Sequence, residues 1–167
     1  GTTGSTCSGS LPTERRRTAN LFAAPDFNHE GQVDGRGIRM AEKTDYSKKA
    51  FLLVGTHGDE DLEKATMVFA CAGASTALGI KTKVFLTMNG VKLAQKGYAE
   101  KLKPVEGMAP VKQMMDAFVQ SGGRIQVCIP CMEARGIDKK QFIDGVEFVN
   151  LMDFSAEAVD ADRVFTC

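Results

Sequence analysis

The sequence predicts an α/β fold, a three-layer domain built on a mostly parallel five-stranded sheet with helices on both faces. Short apolar runs alternate with segments of helical periodicity, which is typical of parallel strands joined by crossover helices. The chain has 167 residues, of which 43% are hydrophobic. This length and composition are sufficient for one domain with a substantial core.

The first strand is predicted at residues 50–54, a continuous apolar run that ends at Gly55, as buried parallel strands commonly do. Acidic residues at 59–61 then introduce a helix over 62–78, because acids in a first turn complement the helix dipole. Gly79 is a suitable residue to end that helix.

A second strand is predicted at 83–87, followed by a turn at Asn89 and Gly90 and a more polar helix over 91–103. The next helix begins after Pro110, because proline is favoured at a helix start. Its apolar residues recur at helical spacing: Val111, Met114, Met115, Phe118 and Val119.

The last third of the chain contains a predicted strand at 124–129 that leads into Cys128-x-x-Cys131. The remaining predicted elements are a short helix at 138–143, a fourth strand at 147–152, a short helix at 155–159 with Ser155 as its N-cap, and a fifth strand at 164–165. Strands and helices alternate throughout, so the sheet is expected to be mainly parallel.

Residues 1–45 are expected to be a flexible N-terminal tail or an expression or processing remnant, and residues 46–167 to form the α/β domain. The first 39 residues have no sustained apolar period and are rich in glycine, serine and threonine. The segment that begins at Met40 has the character of a natural start.

Charge and hydropathy exclude several classes of partner. Lysine plus arginine and aspartate plus glutamate number 21 each, so there is no basic surplus to bind nucleic acid or an anionic membrane. The sequence has no run of about eighteen apolar residues that would span a bilayer. We therefore expect a cytoplasmic protein with no nucleic-acid or membrane partner.

The sequence favours a site with neither a metal nor a cofactor. The loop at 55–61 lacks the phosphate-binding motifs of nucleotide sites, and its three acids would repel a phosphate. Zinc would need more ligands than one Cys-x-x-Cys and His57, the only histidine after Met40, can supply. The five cysteines are too irregular for a secreted disulfide framework: Cys7, Cys71, Cys128, Cys131 and Cys167.

Cys128 and Cys131 are the candidate reactive residues, because they lie where a strand is predicted to pass into a helix. Backbone N–H groups at a helix start favour a thiolate, and Arg135 adds a positive charge nearby. The alternative is that Cys128 is a small buried hydrophobic residue in the strand.

The segment 126–137 resembles the DsrE/DsrF/TusD-like sulfur-relay family, in which an active cysteine ends a strand and an Arg-Gly pair follows it. The spacing from Cys128 to the Arg-Gly pair at 135–136 matches. The segments 85–91 and 162–164 also resemble the family. The resemblance implies a parallel α/β subunit that assembles as a homotrimer or homohexamer.

The resemblance implies a sulfur carrier or sulfurtransferase that holds sulfane sulfur as a persulfide on Cys128 and transfers it between donor and acceptor proteins. No metal or cofactor is implied. Cys131 is not part of the TusD-type pattern and is similar to the peroxiredoxin-like branch, so Cys131 is the alternative carrier, and the helix start would favour its thiolate.

Three residues could support this chemistry. His57 could adjust the protonation of the thiol, and Asn89, with the backbone near Gly90, could help to hold an anion. Arg135 could stabilise a thiolate or a persulfide. Two other functions remain open: a redox protein that cycles Cys128 and Cys131 between dithiol and disulfide, and a non-catalytic assembly subunit with inert cysteines.

Overall fold

The computed structural model describes residues 45–167, so the predicted tail lies outside the described residues except for Asp45. The α-helices and strands follow in the order β1 (Ala50–Gly55), α1 (Leu62–Ala77), β2 (Lys81–Leu86), α2 (Val111–Gln120), β3 (Arg124–Cys128), α3 (Ile129–Glu133), β4 (Glu147–Val149), α4 (Leu151–Asp160) and β5 (Arg163–Thr166). Short 3-10 helices cover Met88–Ala94, Ala99–Lys101 and Lys139–Gln141.

The five strands form one parallel sheet in the order β4-β3-β2-β1-β5. This confirms the predicted sheet. Because every strand runs in the same direction, the carboxyl ends of the strands meet at one edge. The register pairs Leu86 of β2 with Val127 of β3, so Thr87 and Cys128 leave the sheet side by side.

Helices cover both faces of the sheet, as the sequence predicted. On one face α1 packs against α2, with Phe69 and Phe118 in an edge-to-face contact at 6.3 Å between ring centroids. On the other face α4 packs through Phe154, which stacks on Phe85 of β2 at 4.2 Å. The core between these layers is apolar and includes Phe69, Phe85 and Phe118, each at most 1% exposed.

The first helix begins at Leu62, the residue that the sequence predicted for its start, and ends at Ala77, one residue before its predicted end. Asp61 is the N-cap of α1, and its side chain accepts a hydrogen bond of 3.1 Å from the backbone N–H of Lys64. Gly79 follows the helix with φ +80°, a left-handed conformation in which glycine avoids the steric penalty of a side chain.

The helix predicted over 91–103 is wrong. The chain instead forms two 3-10 helices, and Gly97 adopts φ +77° between them. This segment is held by contacts distant in sequence, because the Lys96 N–H donates to the Gln141 carbonyl at 2.8 Å and the Ile143 N–H donates to the Ala94 carbonyl at 2.9 Å. Those backbone bonds hold the segment in a non-α-helical path.

The predictions over 147–152 and 155–159 also need correction. Strand β4 stops at Val149, and α4 begins at Leu151 with Asn150 as its N-cap. The Asn150 side chain accepts from the Asp153 N–H at 2.9 Å. Ser155 is inside the helix and not at its cap, since its hydroxyl donates to the Leu151 carbonyl at 2.7 Å. The short helix predicted at 138–143 is a single 3-10 turn, Lys139–Gln141.

No helix within residues 45–167 is both long and apolar enough to cross a membrane.

Candidate thiol site

The two cysteines of the Cys-x-x-Cys motif meet at the carboxyl edge of the sheet. Cys128 is the last residue of β3, and Cys131 lies in the first turn of α3. Pro130 fits this turn because the first N–H groups of a helix have no intrahelical acceptor, so the missing proline N–H removes no helical bond. The abrupt change from strand to helix brings the two sulfur atoms to 2.7 Å.

Cys128 is fully buried, with 0% of its surface exposed. Its thiol donates a hydrogen bond to the Cys131 sulfur. Burial raises the pKa of Cys128, and the hydrogen bond to Cys131 raises it further, because both favour the protonated thiol. Cys128 is therefore a buried thiol in this structure, and the assignment of the persulfide to Cys128 stays a prediction.

Cys131 has the opposite environment, since its side chain is only partly buried. Burial of Cys131 opposes ionisation, but hydrogen bonds from Cys128 and Thr87, the backbone N–H of Met88 and the positive charge of Arg135 together lower its pKa. The Thr87 hydroxyl lies 3.1 Å from the Cys131 sulfur. These groups stabilise a thiolate at position 131.

The turn that follows β2 forms one wall of the site and has a strained backbone. Met88 has φ +48°, the only positive φ at a residue other than glycine within residues 45–167. Such a conformation costs about 1–3 kcal/mol and persists only where the surroundings enforce it. Here the N–H groups of Thr87 and Gly90 donate to the carbonyls of Gly55 and Thr56, at 2.9 Å and 3.1 Å.

Gly90 allows this turn to pack against the end of β1. A Cβ atom added at Gly90 would overlap the carbonyl oxygen of Gly55, which is a backbone atom that does not move aside easily. The absence of a side chain at Gly90 therefore lets the turn of Thr87 and Met88 sit close to the cysteines.

Asn89 and Arg135, both predicted as supporting residues, are brought together by the fold. The Arg135 guanidinium donates from Nε and Nη2 to Asn89 Oδ1 at 3.1 Å and 2.9 Å. Its Nη1 donates to the backbone carbonyl of Cys131 at 2.9 Å. Arg135 thus ties the turn after β2 to α3 and holds its charge close to Cys131.

His57 makes a different contact from the one expected. Its Nδ1 is hydrogen-bonded to the hydroxyl of Thr56 at 2.8 Å. Within residues 45–167, the hydrogen bonds of the two cysteine sulfurs involve each other, Thr87 and the backbone N–H of Met88, and none reaches His57. The role of His57 in thiol protonation stays a prediction.

Sequence reasoning missed Thr87 and Met88 as parts of the site. Thr87 follows the strand that pairs with β3, and the order of strands was not known from the sequence. The available signal was the position of Thr87 at a predicted strand end, where polar groups of neighbouring parallel strands converge. The strained φ of Met88 has no sequence signal.

The residues of the site do not form a metal centre. Among residues 45–167, no group of three or more histidine, cysteine, aspartate or glutamate side chains is arranged to hold a metal ion. A groove of about 580 Å³ opens at the opposite edge of the sheet, beside Lys81 and Arg124. The cysteines do not line that groove, so the groove and the thiol site are separate features.

The fold and the site define an α/β protein that carries a paired thiol site at the carboxyl edge of a parallel sheet. The model of the DsrE/DsrF-like family matches residues 49–167. The chain therefore belongs to the DsrE/DsrF-like family, which confirms the resemblance seen in the sequence.

Three relatives show the range of similarity. The uncharacterized protein MK0008 of Methanopyrus kandleri is 32% identical over 93 residues, covering 54% of this chain and 73% of that protein. The uncharacterized protein MJ0760 of Methanocaldococcus jannaschii is 28% identical over 120 residues, covering 71% of this chain but only 43% of that protein. YchN of Escherichia coli is 30% identical over 84 residues, covering 50% of this chain and 68% of YchN.

The fold is also that of a solved structure. The crystal structure of YchN from Escherichia coli matches with a TM-score of 0.56 and 22% identity, covering 71% of this chain and 99% of YchN. At this identity the match supports the shared fold.

Proposed function

We propose that the protein is a sulfur carrier that takes up sulfane sulfur on Cys131 as a persulfide and passes it to the thiol of an acceptor protein. The observation that carries this proposal is the environment of the Cys131 sulfur. The residue Cys131 is partly exposed, and Thr87, Cys128 and Arg135 all favour the thiolate form of its side chain. Membership of the DsrE/DsrF-like family supports the same chemistry at the level of the family.

The uptake step is a nucleophilic substitution at sulfur. The Cys131 thiolate attacks the outer sulfur of a donor persulfide, a new S–S bond forms, and the donor leaves as a thiolate. An acceptor thiolate then attacks the outer sulfur on Cys131 and regenerates the Cys131 thiolate. The same atoms and electrons are conserved in both steps, so neither step requires an external oxidant or reductant.

The burial of the two cysteines favours Cys131 as the carrier, although the resemblance favoured Cys128. A partner protein must reach the sulfur that it loads or unloads. Cys128 has no exposed surface, and its raised pKa keeps it protonated, whereas the thiolate is the nucleophile. Cys131 meets both requirements.

Peptide mapping after exposure to inorganic polysulfide tests this assignment. Cleavage after Arg124 and Arg135 releases residues 125–135, which contain Cys128 and Cys131 and no other cysteine. We expect this peptide to gain one sulfur atom in the wild type and in Cys128→Ser, but not in Cys131→Ser. If the peptide gains sulfur in Cys131→Ser but not in Cys128→Ser, the persulfide is carried by Cys128 and not by Cys131.

A dithiol redox function is the second candidate, and the 2.7 Å separation of the two sulfur atoms favours it. The same peptide discriminates between the two functions. A redox protein would lose two hydrogen atoms from residues 125–135 on oxidation and gain no sulfur. If both cysteines react with an alkylating agent no faster than Cys71, the protein is a non-catalytic assembly subunit.

We also propose that the protein acts in the cytoplasm with sulfur donor and acceptor proteins and assembles as a homotrimer or homohexamer. Large apolar side chains exposed on α4 and β5 support assembly, because contiguous exposed apolar surface commonly marks an interface. These side chains are Leu151, Met152, Val159, Val164 and Phe165.

A further inference from the structure

The reactive neighbour of the buried Cys128 sulfur, among the residues that the structure describes, is the sulfur of Cys131. Cys128 has 0% of its surface exposed, so a sulfur atom on another protein does not reach it in this conformation. Its sulfur lies 2.7 Å from the Cys131 sulfur, to which its thiol donates a hydrogen bond. Any reaction of Cys128 in this conformation therefore takes place with Cys131 or with a group that Cys131 carries.

We propose that Cys128 is an internal resolving thiol that discharges the Cys131 persulfide as hydrosulfide when no acceptor removes the sulfur first. This inference rests on the proposed persulfide at Cys131. The proposal gives the Cys131 persulfide two possible reactions, because its outer sulfur either passes to an acceptor protein or leaves as hydrosulfide. Which of these two reactions the loaded sulfur undergoes depends on how soon an acceptor protein binds.

The discharge step is balanced within the site. The Cys128 sulfur attacks the inner sulfur of the Cys131 persulfide, and the bond between the two cysteine sulfurs forms. The bond from Cys131 to the outer sulfur breaks, and its electron pair leaves with the outer sulfur, which takes the Cys128 proton and departs as hydrosulfide. The sulfane sulfur is reduced by two electrons and the two cysteines are oxidised to a disulfide. A dithiol reductant then restores both thiols.

The protonation of Cys128 delays this step. Attack requires the thiolate, and burial raises the pKa of Cys128, so only a small fraction of Cys128 is ionised at neutral pH. The persulfide therefore lasts long enough for an acceptor to act.

The test uses the full chain loaded anaerobically with inorganic polysulfide and then freed of excess reagent. Hydrosulfide release is followed with time, and the peptide 125–135 is weighed at each time point after alkylation. In the wild type we expect the added sulfur to be replaced by a loss of two hydrogen atoms, with one hydrosulfide released per persulfide.

Cys128→Ser removes the resolving sulfur and keeps a hydrogen-bond donor beside Cys131, whereas Cys128→Ala removes both. An adjacent nucleophile acts at a very high effective concentration, so we expect the persulfide to last about tenfold longer or more in both variants. Circular dichroism checks that each variant is folded. Cys71→Ser, a change at a half-buried cysteine on α1, serves as a control with wild-type discharge.

The outcomes separate the two proposals. If Cys128→Ser and Cys128→Ala load sulfur and release hydrosulfide as fast as the wild type, the resolving role is wrong while the persulfide on Cys131 stands. If no variant gains sulfur on the peptide 125–135, or if Cys131→Ser still gains it, the persulfide on Cys131 and the resolving role are both overturned.

Discussion

The hydroxyl of Thr87 lies 3.1 Å from the sulfur of Cys131, although the two residues are 44 positions apart in the chain. Thr87 follows β2 and Cys131 follows β3, and the parallel pairing of these strands brings them together. The contact shows that the thiol site is built by two neighbouring strand ends.

The first prediction concerns the pH at which Cys131 becomes reactive. Since the thiolate is the form that reacts with iodoacetamide, the lowered pKa of Cys131 means that its alkylation begins at a lower pH than that of an ordinary cysteine. Cys71 is an internal control, because burial raises the pKa of its thiol. We expect the pH profile of Cys131 to lie below that of Cys71, measured by peptide mapping. Coincident profiles would contradict the assigned environment.

The second prediction isolates the Thr87 hydroxyl. Thr87→Val keeps the shape of the side chain and removes the donor, whereas Thr87→Ser keeps the donor. A hydrogen bond to a charged group contributes about 1.5–3 kcal/mol, so Thr87→Val is expected to slow alkylation of Cys131 at neutral pH by about tenfold. The alkylation rate of Cys131 in Thr87→Ser should stay close to that in the wild type. Equal rates in both variants would show that the hydroxyl does not stabilise the thiolate.

The third prediction concerns the Arg135 and Asn89 pair. Arg135→Gln removes the positive charge beside Cys131, and Asn89→Ala removes the acceptor that holds the guanidinium. We expect both changes to raise the pH at which Cys131 is alkylated, with the larger effect in Arg135→Gln because it abolishes the charge. The matched control is Lys140→Gln, which removes one exposed positive charge. If Lys140→Gln shifts the alkylation pH of Cys131 equally, that pH depends on the net charge of the protein and not on the position of Arg135.

The fourth prediction concerns Gly90. Gly90→Ala forces a Cβ atom against the Gly55 carbonyl, and overpacking of this kind typically costs about 1–3 kcal/mol. We expect a lower free energy of unfolding in urea and a higher alkylation pH for Cys131, because the turn of Thr87 moves.

The control for Gly90 is Gly123→Ala, in which a Cβ atom would overlap the ring of Phe118. This change is also expected to reduce the free energy of unfolding, but the pH profile of Cys131 should be unchanged. If Gly90→Ala also leaves the pH profile of Cys131 alkylation unchanged, the turn after β2 does not position the Thr87 and Met88 donors around the Cys131 sulfur.

The fifth prediction concerns assembly. Met152 and Val159 of α4 are 82% and 84% exposed, which is unusual for large apolar side chains in a chain that stays monomeric. If this surface is an interface, Met152→Asp and Val159→Asp should dissociate the oligomer, measured by light scattering during size-exclusion chromatography. Glu133→Asp, a change at an exposed residue of α3, is the control. A wild type that is monomeric would contradict the proposed assembly.

Several parts of the fold could be predicted because their signals are local. The apolar run of β1 and the acidic start and glycine stop of α1 lie within short stretches of chain, and each agrees with the structure. The helix predicted over 91–103 failed because distant backbone partners at Gln141 and Ile143 fix that segment. Tertiary hydrogen bonds of this kind override local propensity.

The sequence by itself determined the fold class, the family and the two cysteines, because alternation of strands with helices and a short motif are properties of neighbouring residues. Only the tertiary structure decided the environments of the two cysteines. It buries Cys128 and places Cys131 among Thr87, Met88 and Arg135. Burial and hydrogen bonding depend on which strands lie side by side, and these interactions give two cysteines three residues apart opposite tendencies to ionise.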